Sequence, residues 1–319
     1  MDIVESVRPL AAILAALIGA CLIMLTGRRP NLRETVSFIT AVVMFCIIAS
    51  MIGEVAPAPM GQGHTLHLTV FAILPGLSVS LRADAFSMVF ALVGSFLWII
   101  TVFYAAGYMR GLNEHAQTRF SACFALTLFG AMGVAFADNL FTLYLFYEII
   151  SIFTYPLVAH HQDEEGYSGA RKYMVYLMGT SKLFLLPAMV LTYVLCGTLD
   201  FQLGDVVHGI FPADANPMLV QLTYVLYIAG LAKAALMPFH NWLPSAMVAP
   251  TPVSALLHAV AVVKVGVFCT TRVMLFVFGT DLMKALNLGV PTAYFVSFTI
   301  LAASIIALTK DNLKARLAY

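Results

Sequence analysis

The sequence predicts an all-α polytopic membrane protein of about nine transmembrane helices, on three observations. Only 10% of its 319 residues are charged, against roughly 25% in soluble domains. Hydrophobic residues make up 61% of the chain, and the mean hydropathy is +0.92. Apolar runs of bilayer length recur from end to end, punctuated by short polar or prolyl stretches.

The runs fall at residues 10–25, 35–52, 85–107, 120–135, 140–158, 170–195, 219–237, 251–278 and 292–308. The seventh runs on, broken near Pro238 and Pro244, to about residue 248. The first run follows Asp2 and Glu5 and precedes Arg28 and Arg29, the reverse of a signal peptide, so it reads as a retained span. Residues 53–83 form the one long loop. Within it, 65–73 and 77–82 alternate around Pro75 and Gly76, which predicts a small outer β-hairpin at about 65–82. Residues 198–210 are too polar to span and are expected to lie flat at the outer interface.

Basic residues set the expected orientation. One side holds Arg28, Arg29, Arg33, Arg110, Arg119, Arg171, Lys172, Lys310, Lys314 and Arg316; the other holds only Arg8, Arg82 and Lys284. That bias puts the N-terminus outside and the C-terminal tail in the cytoplasm, and the expected location is a bacterial-type cell (inner) membrane. A net charge of +1 without a basic block argues against nucleic-acid binding. The five cysteines lie in apolar runs and form no C-x-x-C pair, so neither a metal site nor a disulfide framework is indicated. The cytoplasmic loop His160-His161-Gln162-Asp163-Glu164-Glu165 lacks ligand spacing. It reads as solvated surface charge, with His160 at most a proton collector. No metal and no cofactor is expected.

Four basic residues remain, all inside spans: Lys182, Lys233, Lys264 and Arg272. Glu148 joins them, on a stripe with Tyr144, Ser151 and Tyr155 at i, i+4, i+7, i+11 spacing. An ionised group at the bilayer centre costs at least about 2.5–3.5 kcal/mol and needs a partner. Residues 224–264 concentrate such groups: Lys233, His240, His258 and Lys264 lie beside Pro238 and Pro244, each of which removes a helical N–H and crowds the carbonyl four residues back. Non-helical backbone at membrane depth survives only inside protein or beside water, so a cation one turn before the break reads as part of an ion path. Lys182 lies about three turns below Arg171 and Lys172, too deep for easy snorkelling, and is expected to be buried. His258 and Lys264 are about 240° apart on an ideal helix; either a bulge re-aims them or the lysine stem reaches round. Arg272 reads as a snorkelling anchor near the outer end of its helix.

The stretch carrying Lys233, Pro238-Phe239-His240-Asn241-Trp242-Leu243-Pro244, Ala249-Pro250-Thr251-Pro252-Val253-Ser254-Ala255, His258 and Lys264 closely resembles the signature of a known family. That family comprises the antiporter-like membrane subunits of respiratory complex I (NADH-quinone oxidoreductase), of multisubunit sodium/proton antiporters and of membrane-bound hydrogenases. The resemblance implies two inverted five-helix repeats, each with one broken helix. It pairs Glu148 with Lys233, assigns His258 and Lys264 to a central hydrophilic axis, and in some branches places a lysine at the position of Lys182.

On this basis residues 1–319 form one membrane domain. Residues 1–119 are N-terminal helices and the outer loop, 120–278 are the antiporter-like proton-translocating repeat, and 279–319 begin a second repeat. The chain matches about two thirds of a typical family member and is expected to be a fragment or a split product. The implied function is proton or sodium/proton translocation through a Glu148, Lys233, His258, Lys264 and Lys182 relay, within a multisubunit membrane complex. A redox partner or an ion gradient would drive it, and no catalytic redox site is expected in this chain. An inactive structural piece is the alternative. A lysine Schiff-base sensor is a further one, opposed by the several in-span lysines and the two helix-breaking prolines.

Overall fold

The computed structural model describes every residue except Met1, Ala58, Pro75 and Leu203, and every side chain except those and Leu74, Leu257, His258, Ala259 and Val260. It comprises two compact units, Met1–Asp163 with Ala249–Val265, and Glu164–Val248 with Gly266–Tyr319.

In the first unit a short strand β1 (Ile3–Glu5) leads into α1 (Arg8–Leu25), with Pro9 in its first turn where no helical N–H is needed. Then come α2 (Pro30–Ser50), the single turn α3 (Ile52–Val55), the hairpin β2 (Thr65–Leu74) and β3 (Leu77–Ala83), α4 (Ala85–Gly111), α5 (Gln117–Ala135) and α6 (Leu140–Val158). The expected hairpin is present. It is one strand short of the observed sheet, because β1 adds in parallel to β2 through Ile3–Thr65, Val4–Leu66 and Glu5–His67. A three-residue strand leaves too brief an alternation to be read from sequence. Asp84 caps α4 by accepting from the Ser87 amide at 2.8 Å, and Asn139 caps α6 by accepting from the Thr142 amide at 2.8 Å. A ten-residue π-helical run, Val253–Val262, returns to this unit and packs on α4, α5 and α6.

The second unit holds α7 (Glu164–Thr180), a π-helical turn (Ser181–Leu185) and α8 (Leu186–Cys196) as one continuous rod, then α9 (Pro217–Gly230). After the short α10 (Trp242–Ser245) come α11 (Val263–Val273, entering this unit at Gly266), a second π-helical turn (Met274–Phe278), α12 (Gly279–Ala285), α13 (Gly289–Leu308) and α14 (Leu313–Ala318). Among the described residues, eight helical stretches are long and apolar enough to span, and the shorter α9 supplies the ninth, broken span. Residues 198–210 contain no helix among the described residues. They are stitched to the end of the eighth span by Gln202 N–H to Phe276 O (3.0 Å), Ile210 N–H to Val277 O (2.9 Å) and Thr280 N–H to Val206 O (3.0 Å). Gly279, at φ +73°, sits against the backbone of Val207 and Gly209 where a side chain has no space.

Candidate ion-translocation site

The seventh span breaks earlier than its prolines suggest. α9 ends at Gly230, Ala232–Ala234 form one 3₁₀ turn, and Ala235 takes a left-handed conformation at φ 55°. The chain re-enters helical turns at Phe239–Asn241 and α10. Lys233 therefore lies within the break rather than one turn before it. Packing explains the shift: Gly230 fits against the Leu185 backbone, and Gly266 of α11 lies so close to Lys233 and Ala234 that a Cβ has no room. The break is thus fixed from neighbouring helices as well as by Pro238.

Lys233 has no exposed surface. Trp242, also fully buried, donates its indole N–H to the Ala232 carbonyl at 3.0 Å and meets the Tyr173 ring edge-on at 5.6 Å. The same carbonyl accepts the Ala235 amide at 2.9 Å, so the indole adds a second donor from the far side of the break. The amide of Met237 donates to Thr299 Oγ1 at 3.4 Å. Farther along the unit, the buried Tyr227 and Thr192 hydroxyls bond at 2.8 Å, as do Tyr224 and Thr292. His240 is half-buried, and its Nδ1 has no hydrogen-bond partner among the described residues.

Lys182 lies in the π-helical turn Ser181–Leu185, which packs on α9. Contrary to the expected burial, it is exposed on this chain, its ammonium 3.7 Å from Met178 Sδ. The wider π turn directs it outward. Arg272 corrects the sequence reading in the opposite sense. Instead of snorkelling it has no exposed surface, and its guanidinium carbon lies 5.0–5.5 Å from the centroids of the Phe276, Phe268 and Phe201 rings. Phenylalanines four residues before and after it were the available signal.

In the first unit, α6 carries Glu148 half-buried, with Ser151 buried and Tyr144 and Tyr155 half-buried along the same stripe. α5 packs closely on α6, Gly133 against Phe146 and Gly130 against Ile150. The backbone of His258 lies in the π-helical run that touches α6, so the ideal-helix spacing of His258 and Lys264 does not apply; the His258 side chain lies outside the described residues. Ser254 in this run buries its hydroxyl with no hydrogen-bond partner among the described residues. Lys264, in the first turn of α11, is exposed on this chain. The first unit thus holds Glu148, the His258 segment and Lys264, and the second holds Lys182 and Lys233.

His161 to Glu165 are exposed as expected of solvated surface charge, but His160 is not. His160 has no exposed surface; its ring meets those of Phe120 at 5.6 Å and His115 at 4.9 Å, and the Arg119 guanidinium donates to its carbonyl at 3.0 Å. Contacts to the start of α5, distant in sequence, bury it.

Spanning helices, one of them discontinuous around a buried lysine, define a polytopic membrane protein built like an ion-translocating subunit. The chain belongs to the NADH:quinone oxidoreductase/Mrp antiporter transmembrane family, which matches residues 137–319. It is 29% identical over 313 residues to antiporter subunit mnhA2 of Staphylococcus aureus strain MRSA252, covering 96% of this chain and 37% of that protein. With mnhA2 of Staphylococcus epidermidis strain ATCC 12228 the identity is 32% over 246 residues, 76% of this chain and 29% of that protein. The chain therefore spans about a third of the length of these relatives.

Among solved structures, a chain of an archaeal respiratory complex, the membrane-bound sulfane sulfur reductase, superposes with a TM-score of 0.79 at 25% identity. That match covers 98% of this chain and 62% of the other. Chains of Thermus thermophilus complex I (TM-score 0.71, 22% identity, 97% of this chain and 61% of the other) and of the Dietzia sp. DQ12-45-1b Mrp complex (0.78, 21%, 98% and 55%) share the fold.

Proposed function

We propose that this chain acts as a membrane subunit that moves protons, or exchanges sodium for protons, within a multisubunit complex. The burial of Lys233 at a helix break carries this reading. An amine at membrane depth is charged when a carboxylate or dipole compensates it and neutral when that compensation is withdrawn, which is the behaviour a proton carrier needs. Broken helices at the bilayer midplane are the places where transporters hold their coupling ions.

Glu148 takes the role of the membrane carboxylate, Lys233 the central carrier, and His258 and Lys264 the onward sites, with Lys182 leading toward the cytoplasmic side given by the charge bias. The repeat at 120–278 supplies all of these groups. Exposed lysines at membrane depth, Lys182 and Lys264, support a partner helix or subunit covering them, since lipid would not. The driving energy comes from a redox partner arm or from an existing ion gradient. The family membership and the matched neighbours, which are subunits of membrane complexes, support this reading.

The test is Lys233→Arg against Lys233→Ala in the assembled complex, reconstituted in vesicles with a pH-sensitive dye. Both variants abolish exchange if Lys233 passes its proton on, because arginine stays charged at neutral pH. Normal exchange with Lys233→Arg would make Lys233 a fixed charge and defeat the proposal.

A further inference from the structure

The turn between α4 and α5 and the residues after α6 bring together Glu114, His115 and His160, none of which belongs to the proposed relay. One ligand atom from each lies within 4.8 Å of the other two. His160 Nε2 is 3.5 Å from Glu114 Oε2, and His161 Nδ1 is 3.6 Å from the same oxygen. His160 is fully buried, yet neither of its ring nitrogens has a hydrogen-bond partner among the described residues. Buried imidazoles rarely leave both nitrogens unsatisfied, so this one points to a missing electron-pair acceptor or donor in the cluster.

We propose that Glu114, His115 and His160 bind one divalent transition-metal ion of the Zn²⁺ class, with water in the remaining position. Two imidazoles and a carboxylate suit such an ion and are a poor set for Mg²⁺ or Ca²⁺, which favour all-oxygen shells. Bonds of about 2.0–2.1 Å in a tetrahedral shell set ligand atoms about 3.4 Å apart, close to the His160–Glu114 spacing. His115 is exposed, which leaves an entry path from solvent. Arg119 donates to the His160 carbonyl rather than to its ring.

The backbone is prepared for the cluster. Asn113 and Ala116, flanking Glu114 and His115, both take left-handed conformations (φ 49° and 48°), and the Glu114 amide donates to the Met109 carbonyl at 2.9 Å. The turn thereby presents both side chains on the same side as His160.

The test is titration of the full chain in nanodiscs with Zn²⁺ by calorimetry and with Co²⁺ by visible absorption, for wild type, His115→Ala and Glu114→Gln. His115 is exposed and Gln is isosteric with Glu, so neither variant should disturb folding; unchanged size-exclusion profiles check this. Wild type binds one equivalent and develops the d–d band of low-symmetry Co²⁺, and each variant weakens Zn²⁺ binding by about tenfold or more. Absence of a saturable site in wild type, or equal affinity in wild type and both variants, would overturn the assignment.

Discussion

Trp242 donates its indole N–H to the carbonyl of Ala232 at 3.0 Å, joining the two sides of the broken helix immediately beside Lys233. Both residues are buried, and the same carbonyl also accepts the Ala235 amide at 2.9 Å, so the indole is its second donor. Trp242→Phe keeps a ring against Tyr173 but removes the N–H, and should lower stability by about 0.5–1.5 kcal/mol. Thermal unfolding of the purified chain in detergent measures it. An unchanged Tm would mean that the break holds without this bond.

Gly266 permits the close approach of α11 to the Lys233–Ala234 backbone. Gly266→Ala should destabilise by about 1–3 kcal/mol, because backbone rather than a flexible side chain must move. Gly179 in α7 has no neighbour where its Cβ would lie, so Gly179→Ala should be neutral or stabilise by up to about 1 kcal/mol. Equal Tm shifts for the two variants would refute the packing argument.

Asp205 and His208 pair at 2.6 Å in the segment after α8. The side-chain hydrogen bond from His208 holds the Asp205 carboxyl below its ordinary value, and the bond to Asp205 holds His208 above its own. The His208 contribution is complete below the ordinary histidine value and is lost as pH rises through the raised one; the Asp205 contribution is lost as pH falls through its lowered one. Histidine-selective NMR should therefore find the His208 midpoint raised, and Asp205→Asn should return it toward the ordinary value. A midpoint indifferent to Asp205→Asn would exclude the pairing in solution.

Much of the architecture is legible in the sequence because hydropathy and turn chemistry are local. The α6 bounds and the hairpin follow from such signals. Properties set by distant neighbours are not legible. The break at Gly230 depends on Leu185 and Gly266, the burial of Arg272 on Phe201, and the burial of His160 on Phe120 and His115. Lys182 shows the same limit in reverse: its depth along the span suggests burial, but the direction it takes from a π turn leaves it exposed on this chain. Residue types at the candidate site are thus readable from the chain, while their exposure is a tertiary property.

The central claim is that ionisable residues at membrane depth carry protons, and Glu148 tests it most directly. Exchange in proteoliposomes of the assembled complex, under an imposed proton or sodium gradient, should be compared between wild type and Glu148→Gln. The amide preserves shape and polarity but cannot exchange a proton. The account predicts normal insertion and assembly, with the exchange rate reduced by about tenfold or more, equivalent to about 1.4 kcal/mol on the barrier. Wild-type exchange in fully assembled Glu148→Gln complexes would contradict it.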